Sequence, residues 1–137
     1  MNIEMYDGLY NSLNEYIKAN SKIRATVLRK PNSNIFPKIV IEEIANAARG
    51  FNGSYMESYS DITYEINIYT KTQEIDGSIE DSMDIARYLQ SLISDFMEYH
   101  FRANRVFCSP TPNIDDTVYR ITMRYVTQAS DYRGHFF

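Results

Sequence analysis

The chain has 137 residues, of which 44% are hydrophobic and 23% are charged, so its length and composition fit one globular domain. Its formal net charge of -4 argues against a dedicated nucleic-acid-binding protein, because neutralising phosphates requires a basic surface. The single cysteine, Cys108, excludes an internal disulfide and a Cys-x-x-Cys metal site and favours a reducing setting. We expect no secretory signal, since the first ten residues carry Glu4 and Asp7, and no stretch approaches the roughly 18 apolar residues of a membrane span.

The first predicted element is an amphipathic helix from about Ile3 to Ala19. Its apolar residues recur at steps of three and four, which places them on one face: Tyr6, Tyr10, Leu13 and Ile17. After a turn at Pro31, the branched apolar residues of Ile35–Ile44 predict the first strand. Because Pro37 cannot donate a backbone hydrogen bond to a sheet, this strand starts after it or lies at an edge.

A loop from Arg49 to Met56, with two glycines and several aromatic residues, separates this strand from the clearest one. From Asp61 to Thr70, apolar and polar residues alternate with a period of two. This alternation predicts a strand with one face in the core and the other face mostly polar. The pair Asp76-Gly77 ends the unit.

A second helix is predicted to follow, because Ser78 with Asp81 three residues later resembles a helix cap. Its apolar stripe is wide enough to lie along a sheet, and it should end near His100. Two further strands are predicted at Val106–Cys108 and Thr117–Val126. The last of them alternates as cleanly as the second strand does.

These elements predict one α+β domain over residues 1–137, with the order α-β-β-α-β-β and a C-terminal tail over 128–137 that can be mobile. We expect two helices on one face of a mostly antiparallel four-stranded sheet. The uncovered face would be polar, suited to water or to an interface, and would carry Thr63, Glu65, Asn67, Tyr69, Arg120, Thr122 and Arg124.

Residues that could perform catalysis are sparse, so we predict that the chain is not an enzyme and needs no metal or cofactor. The histidines, His100 and His135, have no metal-ligand spacing, and no glycine-rich phosphate loop occurs. The acidic neighbours Glu42 and Glu43 lie on a predicted strand, where adjacent side chains point to opposite faces. Cys108 fits a small buried hydrophobic residue better than a nucleophile.

Charge and aromatic residues are unevenly distributed. Residues 57–98 hold ten acidic against two basic residues, whereas both flanking segments carry a small basic excess. A solvated acidic helix face explains this, and so does an acidic face of one subunit that meets a basic face of the next in a head-to-tail ring. The chain also has twelve tyrosines and no tryptophan, and tyrosine and arginine are enriched at protein interfaces.

The segments Phe36–Glu43, Asp61–Thr70 and Tyr119–Tyr125, with the long helix between them, resemble the small tail terminator (tail completion) proteins of long-tailed bacteriophages. The similarity spans roughly Ile35 to Val126, and its motifs are structural rather than catalytic. It implies a virion structural protein, assembled in the host cytoplasm, that forms a hexameric ring on the last ring of the tail tube. Such a ring stops tube growth and gives the head a surface to join.

The resemblance also implies the partners: further copies of this chain, the tail tube protein, and the head-tail connector or neck protein. DNA would pass through the lumen without specific binding, and no membrane or cofactor would take part. We assign the loop 50–59 to a contact with a neighbour or the tail tube, and part of the acidic segment to the lumen or the subunit contact. The candidate interface or lumen residues are Phe51, Tyr55, Met56, Tyr59, Glu65, Tyr69, Glu74, Asp76, Arg120 and Arg124.

Two alternatives stay open at this point. A head-side neck protein, a connector or stopper that closes the DNA-filled head, would have the same size and α/β character. A small enzyme on a ferredoxin-like sheet would need a pocket with converging ionisable groups, and the sequence shows no such cluster.

Overall fold

A computed structural model describes residues 3–30, 35–49, 59–75, 77–111 and 117–130 of the chain. The elements are α1 (Ile3–Asn20), β1 (Thr26–Leu28), β2 (Lys38–Arg49), β3 (Tyr59–Thr70), β4 (Gln73–Ile75), β5 (Ser78–Glu80), α2 (Ser82–Asp95), a π-helical turn (Phe96–His100), β6 (Asn104–Pro110) and β7 (Tyr119–Ser130). The α+β class with two helices is therefore confirmed.

The main sheet has five strands in the described part of the chain, in the order β1-β2-β3-β7-β6. β1 pairs with β2 in parallel and the other neighbours are antiparallel. β4 and β5 form a separate two-stranded hairpin. The mostly antiparallel sheet is confirmed, but the prediction of a four-stranded sheet in an α-β-β-α-β-β chain is wrong.

The three short strands explain the difference. β1, β4 and β5 have three residues each, which is too short for a period of two to show in the sequence. Their pairing depends on the longer strands: Thr26–Leu28 aligns with Lys38–Val40, and the backbone N–H of Thr26 donates to the carbonyl of Pro37 at 3.1 Å. β2 therefore starts directly after Pro37, which was the first of the two alternatives predicted for this strand.

The second helix begins three residues later than predicted. Ser78 belongs to β5, and Asp81 occupies the N-cap position of α2 without a side-chain capping bond. The helix start is fixed by β3 and its continuation instead: Ser82 N–H donates to Thr72 Oγ1 at 3.1 Å, and Thr70 Oγ1 donates to the Ser82 carbonyl at 2.7 Å. The predicted end near His100 is confirmed, since the π-helical turn ends there.

The core lies between the two helices and one face of the sheet. Alternate residues of β3 and β7 face it, and in the register Ile68 pairs with Ile121 and Ile66 with Met123. Fully buried residues of the helices complete it: Leu9, Leu13, Ile17, Ile85, Leu89 and Ile93. At roughly 25 cal/mol per Å² of apolar surface, burial of these stripes is the main stabilising term.

Two stacked tyrosines in this core differ in their hydrogen bonding. The Tyr6 and Tyr64 ring centroids are 6.3 Å apart. Tyr6 Oη donates to the carbonyl of Ile41 at 2.7 Å, whereas the buried Tyr64 hydroxyl has no hydrogen-bond partner among the described residues. Tyr64 is thus held by packing, and Tyr6 by packing and a buried hydrogen bond.

We predict that Tyr6→Phe lowers the free energy of unfolding by about 0.5–1.5 kcal/mol, because it removes a buried hydrogen bond and leaves the Ile41 carbonyl without its donor. Tyr64→Phe, the matched control, should cause no loss, because its hydroxyl makes no such bond. Urea unfolding of both variants measures this difference. Equal losses in the two variants would contradict the assignment.

The buried tyrosines also predict how stability changes in alkali. Burial, with the nearby Glu43 carboxylate, raises the pKa of Tyr64, and burial raises the pKa of Tyr125. The folded protein keeps these protons where the unfolded chain releases them, so stability should fall as the pH rises above about 10. The urea midpoint, followed from about pH 8 to about pH 11, should fall less steeply in Tyr64→Phe. Parallel curves for wild type and variant would contradict this prediction.

Candidate interaction surfaces

The face of the sheet that points away from the core cluster has a hydrogen-bonded polar centre. Asn67 in β3 and Thr122 in β7 pair directly in the register and are almost fully buried. Asn67 Oδ1 accepts from Arg120 Nε at 2.9 Å and from Thr122 Oγ1 at 2.7 Å. Thr111 Oγ1 extends the network by donating to Thr122 Oγ1 at 2.6 Å. The centre of this face is therefore a fixed polar layer.

Cations and aromatic rings surround one end of this layer. The Tyr69 ring lies 5.1 Å from Lys38 Nζ and 5.4 Å from the Arg120 guanidinium carbon. Phe36 lies 4.8 Å from both Lys38 Nζ and Lys71 Nζ. Burial and the neighbouring Lys71 charge lower the pKa of Lys38, whereas burial raises the pKa of Tyr69 against the opposing effect of Arg120. This end of the sheet thus concentrates positive charge on aromatic supports.

At the other end of the same face, Arg124 connects β3 to the edge of the sheet. Its Nη2 lies 3.5 Å from Glu65 Oε1, and its guanidinium carbon lies 5.1 Å from the Phe107 ring centre. The Arg124 side chain is 45% exposed, so this ion pair contributes at most about 1 kcal/mol. Its structural effect is to hold the carboxylate and the guanidinium close together, leaving neither of them available as an isolated charge.

The strand β6 is an edge of the sheet, and no described strand pairs with its outer side. It pairs with β7 and lies at the end of the strand order, and most of its residues are exposed. The register shifts between Arg105 and Phe107, which leaves Val106 at a bulge. Val106 is 59% exposed and Phe107 is 40% exposed. An edge strand with exposed apolar side chains is a typical site for association with another chain.

A second exposed feature is the β4-β5 hairpin, which lies outside the main sheet. Gly77 at its turn has a φ of 84°, a left-handed conformation that glycine adopts without strain. Ile79 is 80% exposed. A cleft of about 390 Å³ lies between the hairpin, the segment after α1 and the start of α2, and its lining residues are Lys22, Ile23, Ile75, Ser78, Glu80, Asp84, Ile85 and Tyr88.

The structure brings only some of the predicted site residues together. Glu65, Tyr69, Arg120 and Arg124 come together on the polar face of the sheet. Glu74 lies apart from them, exposed on β4. Tyr59 begins β3, and its backbone pairs with Arg49 and Ser130. Phe51, Tyr55, Met56 and Asp76 lie outside the described residues, as do most of the loop 50–59 and residues 131–137. The first residues of the predicted C-terminal tail, 128–130, belong to β7.

Sequence analysis did not select Lys38, Val106, Phe107 or Ile79 as interface residues. The contact of Lys38 with Tyr69 depends on the register of β2 and β3, which the sequence does not show. Val106 and Phe107 were assigned to a strand, but nothing in the sequence indicates which strand forms the edge. Ile79 lies four residues before Met83 in the sequence, which is the spacing of an apolar helix face, so the sequence did not indicate its exposure on a hairpin.

Ionisable groups in the described residues do not assemble into a metal site, since no group of three or more His, Cys, Asp or Glu side chains is suitably placed. Burial raises the pKa of the Cys108 thiol, with Arg105 opposing it, so the thiolate form that nucleophiles need is disfavoured. Glu42 and Glu43 lie on opposite faces of β2, as expected. Glu43 Oε1 is buried and has no hydrogen-bond partner among the described residues.

Comparison with known proteins assigns no family to the chain, because no protein-family model and no curated protein matches it. Within the described residues, no helix combines the length and apolar character needed to cross a membrane. A functional proposal must therefore be argued from the surfaces described above and from the sequence resemblance.

We predict that Asn67→Leu lowers the free energy of unfolding by about 1–3 kcal/mol, because Arg120 and Thr122 lose their shared acceptor in a buried position. Thr63→Val, on the same face of the same strand, is the control and should stay within about 0.5 kcal/mol of wild type. Urea unfolding monitored by circular dichroism measures both. A loss in Asn67→Leu no larger than in the control would show that the polar layer does not stabilise the sheet.

Proposed function

We propose that this chain is a bacteriophage structural protein that forms a ring on the end of the tail tube, ends tail elongation and provides the surface to which the head joins. The observation that carries the proposal is the presence of two unlike exposed surfaces: the basic, apolar edge strand β6 and the acidic hairpin beside α2. Ring assemblies with heterologous contacts need two different surfaces on each subunit.

The position of the charges supports a conduit for DNA. The exposed acidic side chains of α2 and the following turn include Asp84, Asp95 and Glu98. A lumen lined by part of this acidic surface would repel phosphate and let DNA pass without binding. Glu65, by contrast, is paired with Arg124, so the sheet face contributes little to such a lumen.

The partners follow from this role. Further copies of the chain would form the ring, a hexamer in the family that the sequence resembles. The tail tube protein would contact one end of the ring, and the head-tail connector or neck protein would contact the other. The protein would then reside in the virion, at the junction of head and tail, after assembly in the host cytoplasm. The proposed role requires neither catalysis nor a cofactor.

The test is negative-stain microscopy of particles assembled without this gene product. We expect filled heads and separate tails of abnormal length, because nothing would stop growth of the tube. Adding purified wild-type protein to such extracts should restore joined particles. Adding the same protein to wild-type particles, as a control, should leave the tail length unchanged.

Two other outcomes would contradict the proposal. Heads that lose their DNA while tails keep a normal length would indicate the alternative, a connector or stopper on the head side. Normal infectious particles would exclude a required function at the head-tail junction.

A further inference from the structure

The segment between Glu15 and Glu42 carries six lysine and arginine residues and no acidic residue. Because the whole chain has a net charge of -4, this basic excess is local and does not show in the total. Polyanions are bound through local basic surfaces, so the distribution of charge matters as much as its sum. The structure shows where these basic side chains lie.

Three of them converge on one cleft at the end of α1. Lys18, Lys22 and Arg24 are exposed and line a cleft of about 250 Å³. The other lining residues are uncharged: Ile17, Ser21, Ile23 and Ala25. None of the three cations forms an ion pair with a described residue. Three like charges around one cleft repel one another, and an anion between them would relieve that repulsion.

The C-terminus of α1 accounts for only part of this charge. Cations in the last turn of a helix interact favourably with its unpaired carbonyls, and Lys18 lies in that turn. The Ile17 carbonyl already accepts a hydrogen bond from the backbone N–H of Ser21 at 2.9 Å. Lys22 and Arg24 lie beyond the helix, so the helix end does not explain their position in the cleft.

The basic surface continues along the edge strand β1. Arg24 precedes this strand and Lys30 follows it, and both side chains are exposed. At about 3.3 Å per residue these two positions lie up to about 20 Å apart, a distance that spans several phosphates of a duplex. Arg29 belongs to the fold instead, because it pairs with Asp7 at 2.9 Å and lies over the Tyr10 ring.

The composition of this surface favours a phosphate backbone over a protein partner. The cores of protein interfaces are depleted of charged residues and enriched in aromatic ones. Residues 18–30 include no aromatic residue, and none of the exposed large hydrophobic side chains of the described residues lies among them. Unpaired bases bind by stacking on aromatic rings, so a single strand fits poorly as well. A duplex, which presents phosphates and keeps its bases stacked, matches these features.

We propose that the surface formed by Lys18, Lys22, Arg24 and Lys30 binds the phosphate backbone of a nucleic-acid duplex without reading its sequence. The four cations replace counterions of the backbone, and each exposed contact contributes little by itself, so binding is weak and depends strongly on salt. Lys22 also lines the acidic cleft beside the hairpin, so its contribution is the smallest of the four.

This inference goes beyond the proposed function and does not depend on it. The acidic side chains assigned to the lumen, Asp84, Asp95 and Glu98, do not line the basic cleft. The duplex-binding surface and the lumen wall are therefore different parts of the molecule. Binding that ignores base sequence also agrees with a conduit that does not bind DNA specifically.

Fluorescence anisotropy of the purified full-length chain with a short labelled DNA duplex tests the proposal. The logarithm of the dissociation constant should rise by about 3 to 4 for each tenfold increase in salt concentration, because each phosphate contact contributes about 0.9. Two duplexes of unrelated sequence should bind equally. Absence of binding at low salt, or a preference of more than about tenfold for one duplex, would overturn the proposal.

Removal of single charges locates the surface. Lys18→Gln and Arg24→Gln should each raise the dissociation constant about three- to tenfold at low salt and reduce the salt dependence by about 0.9. Lys22→Gln should have a smaller effect. Arg87→Gln removes an exposed charge from α2, so it is the matched control and should leave binding unchanged. A loss in Arg87→Gln as large as that in Arg24→Gln would show that only net charge matters and would overturn the site.

Competitors distinguish a duplex backbone from other anions. Unlabelled duplex should displace the labelled one, whereas polyglutamate at the same charge concentration and inorganic phosphate at the same ionic strength should not. Displacement by polyglutamate as effective as that by DNA would assign the surface to an acidic protein. Displacement by inorganic phosphate beyond a chloride control would assign it to a single ion. Either result would overturn the proposal.

The outcomes also separate this surface from the tail role. Salt-dependent duplex binding together with normal particles in the absence of the gene product would keep the surface and exclude the tail role. Abnormal tails that the wild-type protein rescues, with no duplex binding at low salt, would keep the tail role and overturn the surface. Circular dichroism should show the wild-type fold in every variant, because each substituted side chain is exposed.

Discussion

The two-sidedness of the central strands is the constraint on which the rest of the structure depends. In β3 and β7, one set of alternate residues is mostly apolar and buried under the helices, and the other set lies on the opposite face, where Asn67, Arg120 and Thr122 are hydrogen-bonded. A shift of one residue in register would exchange these two sets and expose Ile66 and Ile68. Because Asn67 and Thr122 bond across the same register, the polar face fixes the same pairing as the core. Helix packing follows from this pairing, because the helices cover the face on which the apolar residues lie.

This alternation also explains how much of the fold was predictable. The long elements α1, β3, α2 and β7 have enough residues for their periods to show, so their existence and sidedness were predicted, and the existence of β2 was predicted from its branched apolar residues. The short strands have no such signal, and their pairing is determined by neighbours that are distant in sequence. Ile79 illustrates the remaining error, because its spacing fits a helix while its environment is a hairpin. Local periodicity cannot separate these two possibilities over three residues.

The candidate site was predictable to the same extent. The sequence correctly placed four of these residues on one face of the sheet. Glu65 and Tyr69 alternate with the core residues of β3, and Arg120 and Arg124 alternate with those of β7, so the alternation is visible in the sequence. Lys38 and Phe107 join the group only through the register of β2 and β6, which depends on pairing. The exposed edge was not predictable either, because strand order is a property of the whole sheet. The sequence therefore indicated a polar surface. The structure adds that the centre of this surface is hydrogen-bonded, whereas its margin at β6 carries exposed side chains.

For the proposed association, the margins of the molecule are better suited than the broad sheet face. On the face, Asn67 accepts two hydrogen bonds, Glu65 lies beside Arg124, and Tyr69 lies between two cations, so a partner would have to disrupt satisfied interactions. At β6 and at the hairpin, apolar side chains are exposed, and covering them with a partner would be favourable. The margins also carry opposite charge, which favours docking between unlike surfaces over docking between like ones. Assembly at such margins leaves the sheet face unchanged, so the fold can remain rigid while subunits join.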